Sequence, residues 1–373
     1  MLIAGEASGD LLAADLVSAL RGKLPDATFF GAGGAKMSAA GVELAFDLTQ
    51  HSVIGISDVL KNYFKFRRLF HQLLALAIER KPDVVIGVDY GGFNLRFGHA
   101  VKEYVRNNPF SKWNPKIVQF VSPQVWASRP GRANRLAADY DLLLSIFPFE
   151  KDWYAQRVPQ LRVEFVGHPM VERMQKSELR IQNKNSVPMV LLLPGSRKSE
   201  LQRHLPVMLA ALKTIQEKLP AAKAKMVLPN PALVSLAKSL GANVEIQIGE
   251  LPWALAEADV AIASTGTVTM ECAFFGVPTV TLYKTSWFTY EIAKRIVTVK
   301  SLTMPNILAG EEIYPEFVQG DATPENLSRA TLELLQDESR RTKIKSQLAK
   351  IISSLGEPGA AGRAATAILS LLK

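Results

Sequence analysis

The stretch DVAIASTGTVTMECAFFGVPTV, residues 259–280, decides the fold. Its apolar residues 259–263 predict a buried strand, residues 264–267 a tight turn of small side chains, and residues 267–275 a helix. A Gly-Val-Pro segment ends the helix and leads into the next strand. This order predicts an α/β protein with a parallel sheet.

The turn in this stretch indicates an anion site. Ser264, Thr265, Gly266 and Thr267 would point backbone N–H groups, and the positive end of the helix dipole, at a phosphate. Glu271 lies about one turn into the helix, where its carboxylate suits the two hydroxyls of a ribose. The pattern predicts a nucleotide diphosphate site, and the alternative is an ordinary helix capped by Ser/Thr.

The segment MVLLLPGSRKSELQRHL, residues 189–205, repeats the strand, turn and helix pattern. Ser196 and Arg197 lie in its turn, and Arg197 can bind a diphosphate through two hydrogen bonds. Asn306, in a later segment rich in turn residues, is a further candidate ligand-binding side chain. We therefore assign nucleotide binding to the second half of the chain.

The first half opens with a strand, the turn GEASGD at residues 5–10, and an amphipathic helix. This turn has neither the Gly-Lys-Ser/Thr of a Walker loop nor the G-x-G-x-x-G pattern. Glu6 and Asp10 place two carboxylates where a phosphate would otherwise bind, so Glu6, Ser8 and Asp10 are candidates for lining a sugar site. Alternatively, Ser8 or Asp10 only caps the helix.

Asp89 directly follows residues 84–88, VVIGV, which predict a buried parallel strand. Ligands of open α/β sheets bind at the carboxyl ends of strands. Gly91 and Gly92 keep the loop beyond Asp89 open. Asp89 is therefore our candidate general base, and the alternative is that it caps the following helix.

Three arginines, Arg129, Arg132 and Arg135, have a spacing of three and share one face if the segment is helical. That face is a candidate phosphate site. His168 follows a predicted strand and precedes Pro169, so it either lines a cleft or hydrogen-bonds at a hinge.

A D-x-D pair, Asp139 and Asp141, resembles a metal site but precedes a predicted strand. It would therefore lie at the edge of the sheet opposite to the ligand-binding edge. No other cluster has the spacing of metal ligands, and we predict neither a metal nor a cofactor.

Aromatic and basic residues alternate in the middle of residues 53–81. They are Lys61, Tyr63, Phe64, Lys65, Phe66, Arg67, Arg68 and Phe70. Apolar anchors flanked by Lys/Arg are typical of a helix that lies on an anionic membrane surface. The same pattern is compatible with RNA binding or with a core helix that has a basic edge.

The length of 373 residues predicts two domains, at residues 1–172 and 187–350, with a terminal helix at 351–373 that packs on the first domain or on a partner chain. The net charge of +9 indicates an anionic partner. We predict no nucleic-acid partner, because the basic residues are spread over many helices. The single Cys272, the absence of a signal-peptide pattern and the absence of a long apolar run predict a cytoplasmic protein.

Eight segments resemble, in order, those of the lipid-A-disaccharide synthase family, and they cover nearly the whole chain. They are AGEASGD (4–10), VIGVDYGGFN (85–94), VSPQVWA (121–127), FPFEKDWY (147–154), FVGHPM (165–170), LLPGSR (192–197), STGTVTMEC (264–272) and MPNILAG (304–310).

The resemblance implies two Rossmann-like domains facing a cleft, the GT-B architecture. It implies an inverting transfer of 2,3-diacylglucosamine from UDP to 2,3-diacylglucosamine 1-phosphate, giving the β-1,6-linked disaccharide 1-phosphate and UDP. Asp89 would take the proton of the acceptor 6-hydroxyl, Glu6, Ser8 and Asp10 would line the sugar cleft, and Arg197 and Glu271 would bind the UDP moiety. Acylated substrates also imply a peripheral enzyme on the inner face of the inner membrane, with its oligomeric state, monomer or homodimer, left open.

The chain departs from the family after Asp89, where it has Tyr-Gly-Gly-Phe-Asn and lacks a second acid, and at Ser128, where a second Trp is common. Three alternatives remain at this stage. They are a UDP-sugar epimerase of the same fold, a nucleic-acid-binding protein, and a non-catalytic lipid-binding protein.

Overall fold

The computed structural model describes residues 1–49, 63–176 and 187–373. The chain divides into two compact units. Unit 1 comprises Met1–Glu172 and Leu355–Lys373, and unit 2 comprises Arg173–Ser354. The last helical segment therefore belongs to the same unit as the first strand.

The first part of the chain alternates strands and helices. In order these are β1 (Leu2–Ala4), α1 (Ala7–Arg21), β2 (Phe30–Gly33), α2 (Ala35–Ala39), β3 (Glu43–Asp47), α3 (Tyr63–Arg80), β4 (Val84–Val88), α4 (Gly91–Asn107), β5 (Lys116–Phe120), α5 (Val125–Ser128), α6 (Arg132–Asp139), β6 (Leu142–Ser145), α7 (Pro148–Ala155), β7 (Val163–Phe165) and α8 (Pro169–Lys176). Helix α1 begins inside the segment expected to be a turn, so Ser8 and Asp10 are helical.

The second part repeats the alternation. Its elements are β8 (Met189–Leu193), α9 (Lys198–Lys218), β9 (Lys223–Leu228), α10 (Pro231–Ser239), β10 (Glu245–Ile248), α11 (Leu251–Glu257), β11 (Val260–Ser264), α12 (Val268–Phe274), β12 (Thr279–Tyr283), α13 (Trp287–Ile296), α14 (Met304–Ala309), β13 (Glu316–Val318), α15 (Pro324–Gln336), α16 (Glu338–Ser354) and α17 (Ala360–Leu369).

Each unit contains one parallel sheet. Unit 1 has the strand order β3-β2-β1-β4-β5-β6-β7, and unit 2 has β10-β9-β8-β11-β12-β13. Both orders reverse direction once, between β1 and β4 and between β8 and β11, as in doubly wound α/β folds. Strands such as β8 are apolar along most of their length because helices cover both faces of a parallel sheet.

The strand registers bring the candidate turns together at these reversal points. In unit 1, Ala4 pairs with Val88, so the segment after β1 lies beside Asp89. In unit 2, Leu193 pairs with Ala263, so the turn after β8 lies beside the turn after β11. Each unit thus has one ligand-type edge at its topological reversal point.

The C-terminal helix α17 packs on α1 within unit 1. Arg363 of α17 donates from Nε to the carbonyl of Val166, at 2.8 Å, and the N–H of His168 donates to the carbonyl of Leu355, also at 2.8 Å. These bonds attach the C-terminal segment to the residues that follow β7.

No helix among the described residues is long and apolar enough to cross a membrane.

The closest backbone approach in unit 1 yields a stability prediction. A Cβ at Gly31 would lie 1.8 Å from the carbonyl oxygen of Leu2, on the neighbouring strand. Gly31→Ala should therefore separate β1 from β2 and lower the free energy of unfolding by more than about 4 kcal/mol, measured by denaturant unfolding. Gly362→Ala is the control, because a Cβ there meets nothing within 4 Å and Ala favours a helix. Equal stability of the two variants would contradict the prediction.

Candidate active site

Asp89 occupies a strained turn at the carboxyl end of β4. Its φ is 51° and that of Tyr90 is 47°, both in the left-handed region that residues other than glycine rarely adopt. Its carbonyl accepts hydrogen bonds from Asn94 Nδ2, at 2.8 Å, and Gln119 Nε2, at 2.9 Å. These two bonds stabilise a conformation whose strain is typical of functional sites.

The carboxyl group of Asp89 is more basic than an ordinary aspartate. Burial raises its pKa, against the opposing hydrogen bonds from the N–H of Tyr90 and the hydroxyl of Ser8. The Ser8 hydroxyl donates to Oδ2 at 3.4 Å. The N-cap of α4 is Tyr90, so Asp89 is not the capping residue that the alternative interpretation required.

Two glycines bring α1 close to this carboxylate. A Cβ at Gly9 would lie 3.2 Å from the carbonyl of Val88, and one at Gly5 would lie 2.3 Å from the ring of Tyr90. The close approach of α1 places Ser8 beside Asp89, as expected from the sequence. Glu6 is half-buried, and its charge adds to burial in raising the pKa of Tyr90.

The expectation that Asp10 lines a sugar site is corrected by its contacts. Asp10 is buried, and its carboxylate accepts the N–H groups of Gly34 at 2.7 Å, Lys36 at 2.9 Å and Met37 at 3.1 Å. It therefore satisfies the free amides at the start of α2, as a capping carboxylate does, although α2 is not the helix that the sequence indicated.

Asn94 and Gln119 support the turn at Asp89, and sequence analysis did not single them out. Each holds the Asp89 carbonyl, and each has one buried side-chain oxygen without a hydrogen-bond partner among the described residues. A polar residue at a buried strand or helix position was the available signal, since such groups are ordinarily satisfied.

Two of the segments that resemble the family, residues 121–127 and 147–154, are joined by hydrogen bonds between buried side chains. Trp126 Nε1 donates to Glu150 Oε1 at 3.0 Å, and the Ser122 hydroxyl donates to the Tyr154 hydroxyl at 3.2 Å. Burial raises the pKa of Glu150 to about 7. This buried network joins VSPQVWA to FPFEKDWY and explains why both segments carry polar residues.

Arg129, Arg132 and Arg135 do lie together, but not on one helix. Arg132 and Arg135 belong to α6, whereas Arg129 precedes that helix. All three line a cavity of about 410 Å³ with Arg96 of α4, which sequence analysis missed because it lies 33 residues before Arg129. Burial and the neighbouring guanidiniums of Arg129, Arg96 and Arg135 lower the pKa of Arg132.

His168 has local contacts that favour the hinge interpretation. Its Nδ1 accepts the N–H of Met170 at 3.1 Å, and its ring lies 5.3 Å from that of Phe147. It does not line the arginine cavity.

The two aspartates of the D-x-D pair, Asp139 and Asp141, form ion pairs with neighbouring side chains. Asp139 lies 2.8 Å from His99 Nδ1, and Asp141 accepts from Lys102 Nζ at 2.9 Å. In the part of the chain that the structure describes, no group of three His, Cys, Asp or Glu side chains is arranged to hold a metal ion.

In unit 2, the turn after β11 presents unused donors. Ser264 is buried as the last residue of β11, and the N–H of Thr265 donates to the carbonyl of Leu282 at 3.2 Å. Gly266 and Thr267 are exposed, and their N–H groups have no hydrogen-bond partner among the described residues. These amides face outward at the start of α12, where an anion is favoured.

Glu271 lies half-buried on α12, one turn beyond these amides. Burial raises the pKa of its carboxyl to about 7. Within the described residues no hydrogen bond or ion pair reaches this carboxyl. A buried and unpaired carboxyl is costly unless a ligand satisfies it.

The turn after β8 is satisfied by its own helix. The Glu200 carboxylate accepts the N–H of Ser196 at 3.0 Å and of Arg197 at 3.2 Å, and it pairs with the Arg197 guanidinium at 3.0 Å. His204, which sequence analysis missed, lies buried between the carbonyl of Pro194 and the backbone of Lys284 and fixes the turn. Two amides of this turn are therefore occupied by Glu200, and the exposed Arg197 guanidinium, although it pairs with Glu200, is the group that we keep as a candidate anion ligand here.

The prediction that the Asn306 side chain binds a ligand is also wrong. It is buried, its Oδ1 accepts the N–H groups of Ile313 and Tyr314 at 2.8 Å, and its Nδ2 donates to the carbonyl of Tyr314 and to Glu316, also at 2.8 Å. All of its hydrogen-bonding groups are used to hold the loop after α14, so none remains for a ligand.

The basic aromatic segment is helical from Tyr63 in α3, while Lys61 lies outside the described residues. Phe64 is 79% exposed, and Lys65, Arg67 and Arg68 are exposed. Phe70 is half-buried and packs edge-on against Phe93 at 5.4 Å and Phe97 at 5.6 Å, so it belongs mainly to the core.

Solved structures share the fold of the whole chain. A UDP-N-acetylglucosamine 2-epimerase from Listeria monocytogenes, described as putative, matches with a TM-score of 0.65 and 16% identity, over 100% of this chain and 96% of that one. The calicheamicin glycosyltransferase CalG4 matches with a TM-score of 0.59 and 16% identity, over 100% and 96%. The predicted fold class, α/β with two Rossmann-like domains as in GT-B glycosyltransferases, is confirmed, but identities this low show the fold alone.

Sequence relatives are more specific. The lipid-A-disaccharide synthase of Myxococcus xanthus is 35% identical over 382 aligned residues, which cover 100% of this chain and 97% of the relative. The profile of the lipid-A-disaccharide synthetase family matches residues 1–369. The resemblance inferred from the eight segments is thus confirmed, and the chain belongs to the lipid-A-disaccharide synthetase family.

Proposed function

We propose that the protein is an inverting hexosyltransferase of lipid A biosynthesis. It transfers 2,3-diacylglucosamine from UDP to the 6-hydroxyl of 2,3-diacylglucosamine 1-phosphate and releases UDP. The observation that carries the proposal is Asp89, a basic carboxylate at the reversal point of the unit 1 sheet, in a chain that belongs to this family. Localisation at the inner face of the inner membrane follows from the same proposal.

Asp89 acts as the general base. The acceptor O6 attacks C1 of the donor sugar, the new O6–C1 bond forms as the bond from C1 to the UDP oxygen breaks, and the proton of O6 passes to Asp89. The raised pKa of Asp89 favours this transfer, because a base is most effective when its pKa approaches the working pH. Ser8 orients the carboxylate through its hydrogen bond, and the half-buried Glu6 is our candidate for binding the sugar hydroxyls.

The leaving UDP binds to unit 2. The free N–H groups of Gly266 and Thr267, with Thr265 beside them, contact the diphosphate together with the Arg197 guanidinium. Such preorganised donors stabilise the charge that develops on the leaving group without a metal ion. Glu271 accepts the two ribose hydroxyls, which would satisfy its otherwise unpaired carboxyl.

UDP-sugar epimerisation is the chief alternative, because epimerases have the same fold. That likeness rests on 16% identity, whereas the synthase relatives reach 36% over the full chain. Epimerisation also requires no second sugar, so dependence on an acceptor separates the two activities.

The first test of the proposed function concerns Asp89. In detergent micelles, UDP release from the diacylglucosamine donor should require the acceptor, and Asp89→Asn should lower kcat by about 10²- to 10⁴-fold, because the proton acceptor is lost. UDP affinity should stay unchanged. Asp26→Asn, at an exposed carboxylate of the same unit, is the matched control. Acceptor-independent release, or a fully active Asp89→Asn enzyme, would refute the proposal.

The second test concerns Glu271. Its carboxylate form should bind ribose better than its neutral form, and its pKa is about 7. The affinity for a UDP-sugar should therefore rise as pH increases through about 7, measured by calorimetry between pH 5.5 and 8.5. Glu271→Gln should bind more weakly and show no such rise, while Glu217→Gln, on the exposed face of α9, should behave as wild type. An equal pH dependence in Glu271→Gln would remove Glu271 from the ribose site.

The third test concerns the start of α3, which we propose as a contact with an anionic membrane surface. Phe64→Ser should lower co-sedimentation with phosphatidylglycerol vesicles several-fold, because an exposed aromatic anchor flanked by cations is lost. Phe110→Ser is the matched control, since Phe110 is 96% exposed elsewhere in unit 1. Equal losses in both variants, or none, would argue against a specific membrane face at α3.

A further inference from the structure

Four arginines converge on one cavity of unit 1. Arg96 comes from α4, Arg129 from the segment before α6, and Arg132 and Arg135 from the first half of α6. They line a space of about 410 Å³ whose remaining walls are Gly92, Leu95 and Gly131. We call this space the arginine cavity. It is large enough for a phosphate group together with the part of a ligand that bears it.

The four guanidiniums lack counter-charges. Within the described residues none of them makes an ion pair or a side-chain hydrogen bond, whereas the next cations along α4 are paired, Lys102 with Asp141 and Arg106 with Asp139. Burial, and after it the charges of Arg129, Arg96 and Arg135, lower the pKa of Arg132. All four side chains are exposed, and an anion that bound among them would relieve the repulsion between their like charges.

A second cavity adjoins the first and has the opposite character. It also measures about 410 Å³ and is lined by Phe66, Phe70, Tyr90 and Phe93, with Arg67 at its wall. The two cavities share Gly92 and Arg96. A ligand that filled both would carry a phosphate and, next to it, an apolar chain.

The aromatic cavity also adjoins the proposed base. Tyr90, which lines the aromatic cavity, directly follows Asp89 and stacks at 5.6 Å on Phe93. A molecule held in the two cavities therefore lies close to the carboxylate in the same unit.

We propose that the arginine cavity binds the phosphate of the sugar acceptor, with an acyl chain of the same molecule in the aromatic cavity. On this view Arg96, Arg129, Arg132 and Arg135 make the enzyme selective for a phosphorylated acceptor. The inference rests on the proposed function and adds the determinant of acceptor choice. Guanidinium groups suit this task because they bind phosphate oxygens through paired hydrogen bonds.

A comparison of two acceptors tests the proposal. The ratio of kcat/KM for diacylglucosamine 1-phosphate to that for the same sugar without its phosphate should fall about 10- to 100-fold in the double variant Arg132→Gln/Arg135→Gln. Turnover of the unphosphorylated acceptor and KM for the donor should not change. Arg132→Lys/Arg135→Lys keeps the charge and should recover part of the ratio.

Lys23→Gln/Lys151→Gln is the matched control. It removes two exposed positive charges from the same unit, away from both cavities, and should leave the ratio as in wild type. An unchanged ratio in the arginine variant, or an equal fall in the control, would overturn the proposal.

Direct binding separates this inference from the proposed function. Without donor, the wild-type protein should bind the phosphorylated acceptor in micelles at least 10-fold more tightly than the unphosphorylated one, and the arginine variant should lose that difference. This result supports the cavity assignment even if no transfer occurs, whereas normal transfer without any such difference would refute the cavity assignment alone.

A phospholipid headgroup offers the same phosphate chemistry as the acceptor. If the arginine variant loses binding to phosphatidylglycerol vesicles but keeps both its acceptor ratio and its acceptor affinity, the cavity serves the bilayer and the acceptor assignment fails. If the arginine variant keeps its vesicle binding but its kcat/KM ratio for phosphorylated over unphosphorylated acceptor falls, the acceptor assignment is supported.

Discussion

The parallel pairing of β1 with β4, and of β8 with β11, is the constraint on which the rest of the structure depends. Each pair lies where the strand order of its sheet reverses, so the two connecting segments diverge to opposite faces and leave a gap between them. Register then decides which residues meet in that gap. Ala4 opposite Val88 brings Ser8 to Asp89, and Leu193 opposite Ala263 sets the two polar turns of unit 2 side by side.

Polar groups at these edges divide into those that the protein satisfies and those that it leaves unsatisfied. Asp10, Asn306 and Glu200 are saturated by backbone amides and neighbouring side chains, and so they build loops and helix ends. Glu271 and the four arginines of the arginine cavity have no such partners in the described residues. The four arginine side chains are exposed, whereas burial raises the pKa of the Glu271 carboxyl to about 7, and these are the groups for which we propose ligands.

Strain and charge place a basic carboxylate at the reversal point of the unit 1 sheet and free amides at that of the unit 2 sheet, and the proposed transfer rests on these two features. The left-handed turn at Asp89 is held from behind by Asn94 and Gln119, which makes the carboxylate direction a property of the fold and not of a mobile loop. The arginine cavity lies in the same unit, and its positive charges are the feature on which we base the proposed selectivity for a phosphorylated acceptor.

The sequence by itself determined the α/β class, the strands that carry Asp89 and the 264–267 turn, and the family, because buried parallel strands leave continuous apolar runs and the eight segments are read directly from the chain. It did not determine which polar residues face a ligand. Asp10 and Asn306 have the same chemistry as ligand-binding residues, and only the tertiary structure shows that backbone amides, such as those 24 residues beyond Asp10 and 8 residues beyond Asn306, have saturated them. The arginine cavity illustrates the same limit, since Arg96 joins Arg129 and Arg132 through the packing of α4 against α6, a contact that no local spacing reveals.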